Sequence, residues 1–301
     1  MKREEICSTG GSTLLLVMWA LILLSTAILV WARWIQHDIE LSGSLNRQLE
    51  ARAMARSGVA VALHPMVSQQ TPWLVENFDS AMGYNVRMIS EGGRLHLNWL
   101  LNGEEPRKLA MLKQWLELKG LDFQQREILV DCMLDYIDGD NLHRANGTED
   151  EGDYHPANRP FQTIEELEKV RGSEPLTSLP GWKDELTLYS AGTIDMSSAS
   201  ISTLRLLPGM GEARIQRFIS FRDGKDAING TMDDNVFKTL QDIQKFLGFN
   251  QAQFQELGGL INVKDPTVRI VSEGRSGKVS RQIEVVATKG GGNPAIRLWK
   301  E

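Results

Sequence analysis

The feature that most constrains this 301-residue chain is an apolar run near its N-terminus. The 19 residues from Leu14 to Ala32 carry no charge and are dominated by Leu, Ile, Val, Ala, Met and Trp. As an α-helix, a run of this length nearly spans a hydrocarbon core of about 30 Å. A cleaved signal peptide has a shorter apolar stretch, roughly 7–15 residues, followed by small residues, and the sequence WARWIQHD that follows here lacks them. We therefore predict a membrane helix, and Lys2 and Arg3 favour an N-terminus on the cytoplasmic side.

The helix is predicted to continue well beyond the membrane. From Arg33 to His64 there is no proline, only two glycines interrupt good helix formers, and Pro65 is the first natural stop. One helix is therefore predicted from about residue 13 to 64, lipid-soluble in its first half and amphipathic in its second. A plain anchor needs no such extension, whereas a subunit that packs helix against helix in a filament does.

Two regions of the sequence alternate with the period of a β-strand. In the first, Tyr84, Val86 and Met88 share one parity, and a second alternating stretch, Leu95–Trp99, follows after Gly92-Gly93. This pattern predicts a hairpin. In the second region, from Thr267 to the C-terminus, the stretches TVRIVSEG, SRQIEVVATKG and AIRLWKE alternate and are separated by glycine-containing turns.

Between these two regions, from Glu104 to Asn262, apolar residues recur at helical spacing, as in EEPRKLAMLKQWLELKGL and FQQREILVDCMLDYID. Thr163 and Glu166 have the spacing of a capping box before a further helix. The predicted fold class is α+β, in which a large all-helical insertion divides an antiparallel sheet. The predicted parts are an N-terminal helix over 12–65 with its membrane segment at about 14–32, a first core segment over 66–103, the helical insertion over 104–262, and C-terminal strands over 263–301.

Charge and motif content exclude several classes of function. The formal net charge is −6, so no overall basic surface is available to attract nucleic acid. The sequence shows no catalytic triad pattern, metal-binding histidine cluster or phosphate loop, and we predict that the chain is not an enzyme. The two cysteines, Cys7 and Cys132, do not indicate a compartment.

An acidic segment runs from Asp135 to Tyr154, with the sequence DYIDGDNLHRANGTEDEGDY. It carries seven carboxylates and a single arginine, Arg144. Asp138-Gly139-Asp140 resembles the start of an EF-hand loop, but the later ligand positions of that loop are missing. Oxygen ligands in a flexible loop suit Ca²⁺ better than Zn²⁺. On residue chemistry alone, a solvated acidic loop is the favoured interpretation.

A second segment, SSASISTLRLLPGMGEARIQRFISFRDG, has the pattern of a helix–hairpin–helix. Pro208, Gly209 and Gly211 form the predicted turn, and the second helix is predicted to start at Glu212. Such hairpins often bind a DNA phosphate through backbone N–H groups at the start of the second helix. From Asp195 to Asn262, however, seven basic residues face eight acidic ones, and phosphate binding depends on a positive excess. The sequence therefore favours a hairpin that packs within the protein, without nucleic acid.

The N-terminus resembles that of type IV prepilins and type II secretion pseudopilins, in which a prepilin peptidase cuts after a glycine and leaves the apolar helix in place. The resemblance implies a leader over 1–11 and cleavage between Gly11 and Ser12, which puts Leu16 at the fifth mature position, where most pilins have Glu. A cut after Gly10 would put Leu15 there, so neither cut supplies this carboxylate. Lack of that Glu is a property of the K-type minor pseudopilins of type II secretion.

The acidic segment is similar to a pattern of the same K-type family, in which the helical insertion binds calcium. Matched position by position, the resemblance implies Ca²⁺ ligands at Asp138, Asp140, Glu149 and Asp150, with Asp135 as a further candidate. It also implies a structural hairpin at Pro208, Gly209 and Gly211, and a pilin-like α/β core that contains the helical insertion.

The function implied by the resemblance is that of a structural minor pseudopilin at the tip of the type II secretion pseudopilus, which supports export across the outer membrane. The expected partners are the I-type and J-type minor pseudopilins and the prepilin peptidase. The expected location is the inner membrane, with one membrane pass and the C-terminal part in the periplasm. The alternative is a membrane-anchored helix–hairpin–helix protein of DNA uptake, which explains the anchor and the hairpin but not the divided β region.

Overall fold

The computed structural model describes residues 10–79, 81–231, 233–290 and 293–301, so residues 1–9 of the expected leader, with Cys7, lie outside the described part. The described helices are α1 (Gly10–Leu63), α2 (Leu97–Leu101), α3 (Pro106–Leu118), α4 (Phe123–Ile137), α5 (Glu174–Thr177), α6 (Ile201–Arg205), α7 (Glu212–Arg222), α8 (Leu240–Leu247) and α9 (Gln251–Leu257). The described strands are β1 (Val75–Asn77), β2 (Met82–Ser90), β3 (Leu95–His96), β4 (Leu186–Thr187), β5 (Ile194–Asp195), β6 (Ile261–Asn262), β7 (Thr267–Ser276), β8 (Val279–Thr288) and β9 (Ala295–Lys300).

The long N-terminal helix predicted from the sequence is confirmed. Helix α1 has 54 residues and ends two residues before Pro65. Its most apolar 18-residue window has a mean hydropathy of 2.6. By length and composition, the helix is long and apolar enough to cross a membrane. Side chains along its first half, such as Leu16 and Trp31, are exposed.

The C-terminal half of α1 packs on a five-stranded antiparallel sheet with the order β1-β2-β7-β8-β9. The contact face of the helix is small and apolar: Ala51, Ala55, Val59 and Ala62 are fully or almost fully buried. Small side chains let the helix backbone approach strand β7 closely, where Ser272 Oγ donates a hydrogen bond of 2.8 Å to the Ala55 carbonyl oxygen. The sheet and the C-terminal half of α1 therefore form one layered unit.

Residues between β2 and β7 form a helical part with its own apolar core. Its longer elements are helices, but three short strands and long irregular segments lie within residues 104–262, so the prediction of an all-helical insertion is wrong. Trp115 and Phe218 are among the largest fully buried side chains of this core. Two short parallel strand pairs, β3 with β4 and β5 with β6, tie its loops together. The α+β class predicted from the sequence is confirmed, with strands β2 and β7 neighbours in the sheet although the helical part separates them in sequence.

Two local predictions are wrong. The alternating stretch after Gly92-Gly93 is a strand only at Leu95–His96, and the chain then turns into α2. The His96 side chain accepts a hydrogen bond from the Trp99 backbone N–H and so caps this helix, whose leucines enter the helical core. Thr163 makes no side-chain cap, and the segment that follows is the 3-10 helix Ile164–Lys169.

The two ends of the helical part meet beside the sheet in a buried polar cluster. Asp195 Oδ2 accepts hydrogen bonds from Ser90 Oγ at 2.5 Å and from the Asp265 backbone N–H at 2.9 Å. Buried Glu91 accepts hydrogen bonds from the Arg269 guanidinium at 2.7 and 3.0 Å. Because these groups are paired inside the protein, the cluster fixes how the helical part sits on the sheet.

Candidate functional site

The acidic segment begins at the C-terminal end of α4. The helix starts with a capping box in which Asp122 Oδ1 accepts the Gln125 backbone N–H at 2.8 Å and Gln125 Oε1 accepts that of Asp122 at 3.0 Å. Asp135 lies in the last turn of α4, and Asp138 is its C-cap residue. The helix therefore places two carboxylates at one end of the helical core.

The following loop folds back over α4 and brings a third carboxylate to the same place. Asp131 Oδ2 accepts hydrogen bonds from the Asn146 backbone N–H at 3.1 Å and from its side-chain amide at 2.9 Å. Gly147 then passes so close to Asp135 that a Cβ at this position would lie 1.8 Å from Asp135 Oδ2. Only glycine fits this approach, and it allows Glu149 to enter the group.

Three carboxylates converge at this point. One oxygen from each of Asp135, Asp138 and Glu149 lies within 4.8 Å of the others. Asp135 is fully buried and Glu149 is 8% exposed. Like charges this close repel each other in a low-dielectric surrounding, so a cation or a proton has to compensate.

Arg144 supplies part of this compensation. Its Nη1 donates to Asp135 Oδ1 at 2.5 Å and to Asp138 Oδ2 at 2.6 Å, while Nη2 donates to Glu104 Oε1 at 2.6 Å. Burial alone lowers the pKa of the Arg144 guanidinium, but these hydrogen bonds outweigh burial and the pKa is raised. The arginine is therefore a fixed positive charge on one side of the group.

Three other oxygens of the carboxylate group have no hydrogen-bond partner among the described residues. Asp138 Oδ1 and both carboxylate oxygens of Glu149 are buried and have no hydrogen-bond partner among the described residues. Burial, together with the charges of Asp135 and Asp138 and then of the more distant Asp140 and Asp150, raises the pKa of the Glu149 carboxyl. Buried carboxylate oxygens without donors are unusual, because their desolvation is costly.

These unpartnered oxygens have the chemistry that a hard cation requires of its ligands. Calcium prefers several carboxylate oxygens, mono- or bidentate, in a flexible loop. Asp138 Oδ1 and the two Glu149 oxygens would hold such an ion, and its positive charge would stabilise the ionised form of Glu149. A solvated acidic loop does not account for oxygens withdrawn from both water and protein donors.

Two of the ligands expected from the resemblance lie apart from the group. Asp140 is exposed, and its Oδ1 accepts the Leu142 backbone N–H at 2.9 Å. Asp150 is exposed and its Oδ1 lies 2.9 Å from His155 Nδ1. The structure thus brings together Asp135, Asp138 and Glu149, while Asp140 and Asp150 point to local partners.

Sequence reasoning assigned no role to several residues that shape the group. Besides Arg144, they include Glu104, which lies far away in sequence and has a positive φ of 48°. The Tyr154 hydroxyl is also buried and has no hydrogen-bond partner among the described residues, and burial is the main cause that raises its pKa to about 12. Gly147 was a usable signal, since a glycine in a charged loop indicates a close backbone approach.

The hairpin segment forms two helices, with α6 ending at Arg205 and α7 starting at Glu212. Gly209 has a positive φ of 75°, which explains glycine in the turn. A cavity of about 510 Å³ lies beside the turn and is lined by residues that include Pro208, Gly209 and Gly211. The cavity therefore lies between the hairpin turn and helix α3, whose residues Arg107, Ala110, Met111 and Gln114 also line it.

The arginines of α7 are already engaged within the protein. Arg214 Nη1 donates to the Gly209 carbonyl oxygen at 2.7 Å, and Arg217 Nη2 donates to that of Phe246 at 2.8 Å. Both guanidinium groups also lie over phenylalanine rings. Side chains used this way stabilise the hairpin and are poorly placed for phosphate contacts.

Comparison with known proteins identifies the helical part. Residues 93–178 match the family model described as type II secretion system (T2SS), protein K. This stretch contains α2, α3, α4 and the complete carboxylate group. Residues 93–178 are therefore similar to protein K of type II secretion systems over somewhat less than a third of the chain.

A solved structure shows that similarity in fold extends beyond the residues matched by the family model. The chain is similar to a chain in the crystal structure of the GspK–GspI–GspJ complex from the enterotoxigenic Escherichia coli type 2 secretion system, with a TM-score of 0.58 and 12% sequence identity. The alignment covers 88% of this chain and 98% of that one. At this identity the likeness shows a shared fold. Curated protein sequences give no match.

The processing residues of the K-type resemblance lie at the start of the described chain. Gly11 and Ser12 fall in the first turn of α1, and Leu16 is an exposed residue one turn later. The expected fifth-position residue therefore faces outward from a helix that has no carboxylate in its first turn.

Proposed function

We propose that this chain is a minor pseudopilin that caps the tip of the type II secretion pseudopilus and supports export across the outer membrane. The observation that carries the proposal is the position of the helical part, which is inserted between neighbouring strands of the sheet at the end of the unit away from the membrane segment of α1. A subunit with this bulk above its core can end a helix-packed filament but is poorly suited to its interior.

The expected partners are the I-type and J-type minor pseudopilins, which accompany the K protein in the similar solved complex. Co-purification of the full chain with I-type and J-type proteins tests this assembly. A variant with Leu16→Glu tests the tip position, since an N-terminal carboxylate suits a subunit that has another subunit ahead of it. We expect the variant to lose its exclusive tip position in crosslinking between subunits; an unchanged position contradicts the argument from Leu16.

The proposed location is the inner membrane, with α1 as the single span and the sheet and helical part in the periplasm. The proposed processing step is cleavage between Gly11 and Ser12 by a prepilin peptidase. Mass analysis of the chain with and without the co-expressed peptidase is expected to show loss of the first 11 residues only when the peptidase is present. An intact Met1 in both samples contradicts this step.

The proposed role is structural and not catalytic. The thiol closest to the carboxylate group is Cys132, whose Sγ donates to the Asn146 carbonyl oxygen at 3.6 Å. Burial raises the pKa of this thiol, so it stays protonated and is a poor nucleophile. The carboxylates therefore act as ligands and not as part of a reacting pair.

We infer that the carboxylate group of Asp135, Asp138 and Glu149 binds Ca²⁺, with the ligating oxygens on Asp138 and Glu149, and the K-type resemblance adds Asp140 and Asp150 as further ligands. The supporting observation is the set of buried, unpartnered oxygens on Asp138 and Glu149. Bound at one hundred times its dissociation constant, Ca²⁺ stabilises the folded chain by about 2.7 kcal/mol.

Isothermal titration of the full chain in neutral detergent tests the calcium site. We expect Asp138→Asn and Glu149→Gln to abolish the binding heat. Asp153→Asn, an exposed carboxylate of the same segment, is the matched control and is expected to leave it unchanged. Asp140→Asn and Asp150→Asn show whether these two residues contribute. Equal heat in wild type, Asp138→Asn and Glu149→Gln contradicts the assignment.

A further inference from the structure

We propose that Arg144 is a permanent part of the cation site and sets its charge, so that the site accepts a divalent ion. The inference rests on the cation site proposed above. It concerns selectivity, and Arg144 is here a specificity-determining residue that does not itself coordinate the ion.

Arg144 is held to the carboxylate group by both its backbone and its side chain. Its backbone N–H donates to Asp135 Oδ2 at 3.1 Å, and its Nη1 bridges Asp135 Oδ1 and Asp138 Oδ2. The second terminal nitrogen is fixed by Glu104. Because the guanidinium stays charged at every accessible pH, this arrangement does not depend on protonation.

The hydrogen bonds of Arg144 and the unpartnered positions involve different oxygens of the group. Arg144 uses Asp138 Oδ2, whereas the other oxygen of the same carboxylate, Oδ1, is unpartnered. Both Glu149 oxygens are likewise free of donors among the described residues. An ion bound to these three oxygens would not compete with Arg144 for any of its acceptors, so both can be present together.

The charge of the group then fits a divalent ion. The three carboxylates of the group and the guanidinium of Arg144 leave a net charge of −2 when all are ionised, which one divalent ion neutralises. The Glu104 carboxylate, bonded to the second terminal nitrogen of Arg144, is left out of this count because it is 55% exposed and screened by solvent. Without Arg144 the group would carry −3, which favours a trivalent ion. Coulomb attraction grows with the charge of the ion, so the added negative charge strengthens La³⁺ binding more than Ca²⁺ binding.

The ratio of La³⁺ to Ca²⁺ affinity separates this charge effect from a structural one. A variant that only loosens the loop weakens the binding of both ions by a similar factor, and the ratio stays the same. The ratio moves only if Arg144 is next to the bound ion.

The experiment measures both affinities by isothermal titration of the full chain in neutral detergent with CaCl₂ and LaCl₃. We expect Arg144→Gln to raise the La³⁺/Ca²⁺ affinity ratio about tenfold, after allowance for solvent screening of a partly exposed charge. Arg144→Lys keeps the charge and is expected to keep the ratio. Arg171→Gln is the matched control, since Arg171 pairs with Glu151 at the exposed side of the same segment, and the ratio is expected to stay unchanged.

A double variant guards against misfolding of Arg144→Gln. Removing Arg144 alone leaves Asp135 buried without its partner, which is strongly destabilising. In Arg144→Gln/Asp135→Asn the net charge of the group returns to −2, and we expect the ratio to return to the wild-type value. Asp135→Asn alone leaves −1, and the ratio is expected to fall below wild type.

Three results decide the matter. An unchanged ratio in Arg144→Gln with both ions bound more tightly means that the arginine leaves the site when an ion binds, and it overturns the proposal. An unchanged ratio with both ions bound more weakly means that Arg144 only holds the loop, and it overturns the proposal too. Absence of any binding to the wild-type chain refutes the cation site itself, which is a different outcome.

Discussion

Gly274 is the position where a single added methyl group is expected to separate helix α1 from the sheet. A Cβ at Gly274 would lie 2.1 Å from the Ala51 carbonyl oxygen and 2.2 Å from the Ala55 backbone nitrogen. Both are backbone atoms of the helix, so no side chain can turn away to make room. Overpacking in a core typically costs about 1–3 kcal/mol, and we expect Gly274→Ala to reach the upper end of this range.

The neighbouring hydrogen bond adds to this cost. Moving α1 outward lengthens the bond from Ser272 Oγ to the Ala55 carbonyl oxygen, whose loss costs about 1 kcal/mol. The combined loss of about 3–4 kcal/mol corresponds to a melting temperature lower by about 10 °C for a chain of this size. Thermal unfolding of the full chain in neutral detergent, followed by circular dichroism, measures it.

Gly43→Ala, on helix α1 itself, is the matched control. A Cβ at Gly43 meets no atom within 4 Å, and replacing a glycine inside a helix with alanine stabilises it by about 0.5–1 kcal/mol. Gly43→Ala should therefore raise the melting temperature slightly, while Gly274→Ala lowers it. If the two variants melt alike, the close approach of α1 to strand β7 does not limit stability and the reasoning is wrong.

Three further predictions concern charged groups. Burial and neighbouring carboxylates raise the folded-state pKa of Glu149 above its ordinary value of 4.5, so with a chelator present its contribution to stability is full below pH 4.5 and is lost as pH rises through the folded-state pKa. Denaturation between pH 4.5 and 7 should show this dependence in wild type, and an equal dependence in Glu149→Gln contradicts it. Lys289 Nζ donates to the carbonyl oxygens of Ala62 and Val67 at 2.7 Å each at the end of α1, so Lys289→Met should cost about 2–3 kcal/mol by chemical denaturation, whereas the exposed Lys278→Met should cost nothing measurable. A gel-shift titration of the full chain at low salt should show no salt-sensitive DNA binding; tight binding lost at moderate salt would restore the DNA-uptake alternative.

Much of the fold was predictable because the strongest sequence signals are long. The charge-free run and the proline-free stretch after it predict α1 almost to its observed ends. Strand β2 follows from the alternation of Tyr84, Val86 and Met88, and α4 from its apolar helical spacing. Long periodic segments leave little ambiguity between helix and strand.

Short segments were harder, as α2 shows. Leu95, Leu97 and Trp99 alternate as in a strand, but Leu97, Leu100 and Leu101 also have the spacing of one helix face, and these three are fully or almost fully buried in the helical core. Over five residues the two periods cannot be separated. A capping side chain, His96, decides the outcome in the structure.

The site was predictable in composition but not in detail. An acidic loop after a helix indicates a cation site, yet spacing does not say which carboxylates converge. Convergence depends on the loop folding back over α4, which is fixed by Asp131, Asn146 and Gly147. The part played by Glu104 could not be read from spacing, because it lies 40 positions before Arg144.

The buried polar cluster where the helical part meets the sheet determines whether a bound cation can change the orientation of the helical part. Asp195, Ser90 and the ion pair of Glu91 with Arg269 hold both ends of the helical part against the sheet, and all of these groups have partners without any added ion. The carboxylate group belongs instead to α4 and its following loop, whose unpartnered oxygens lie within the helical part. Cation binding should therefore raise the stability of the helical part while its orientation on the sheet stays fixed. We expect the melting temperature to depend on calcium and the distance between spin labels on α1 and α3 to be independent of it. A distance that changes with calcium would show that the polar cluster does not hold the helical part rigidly on the sheet.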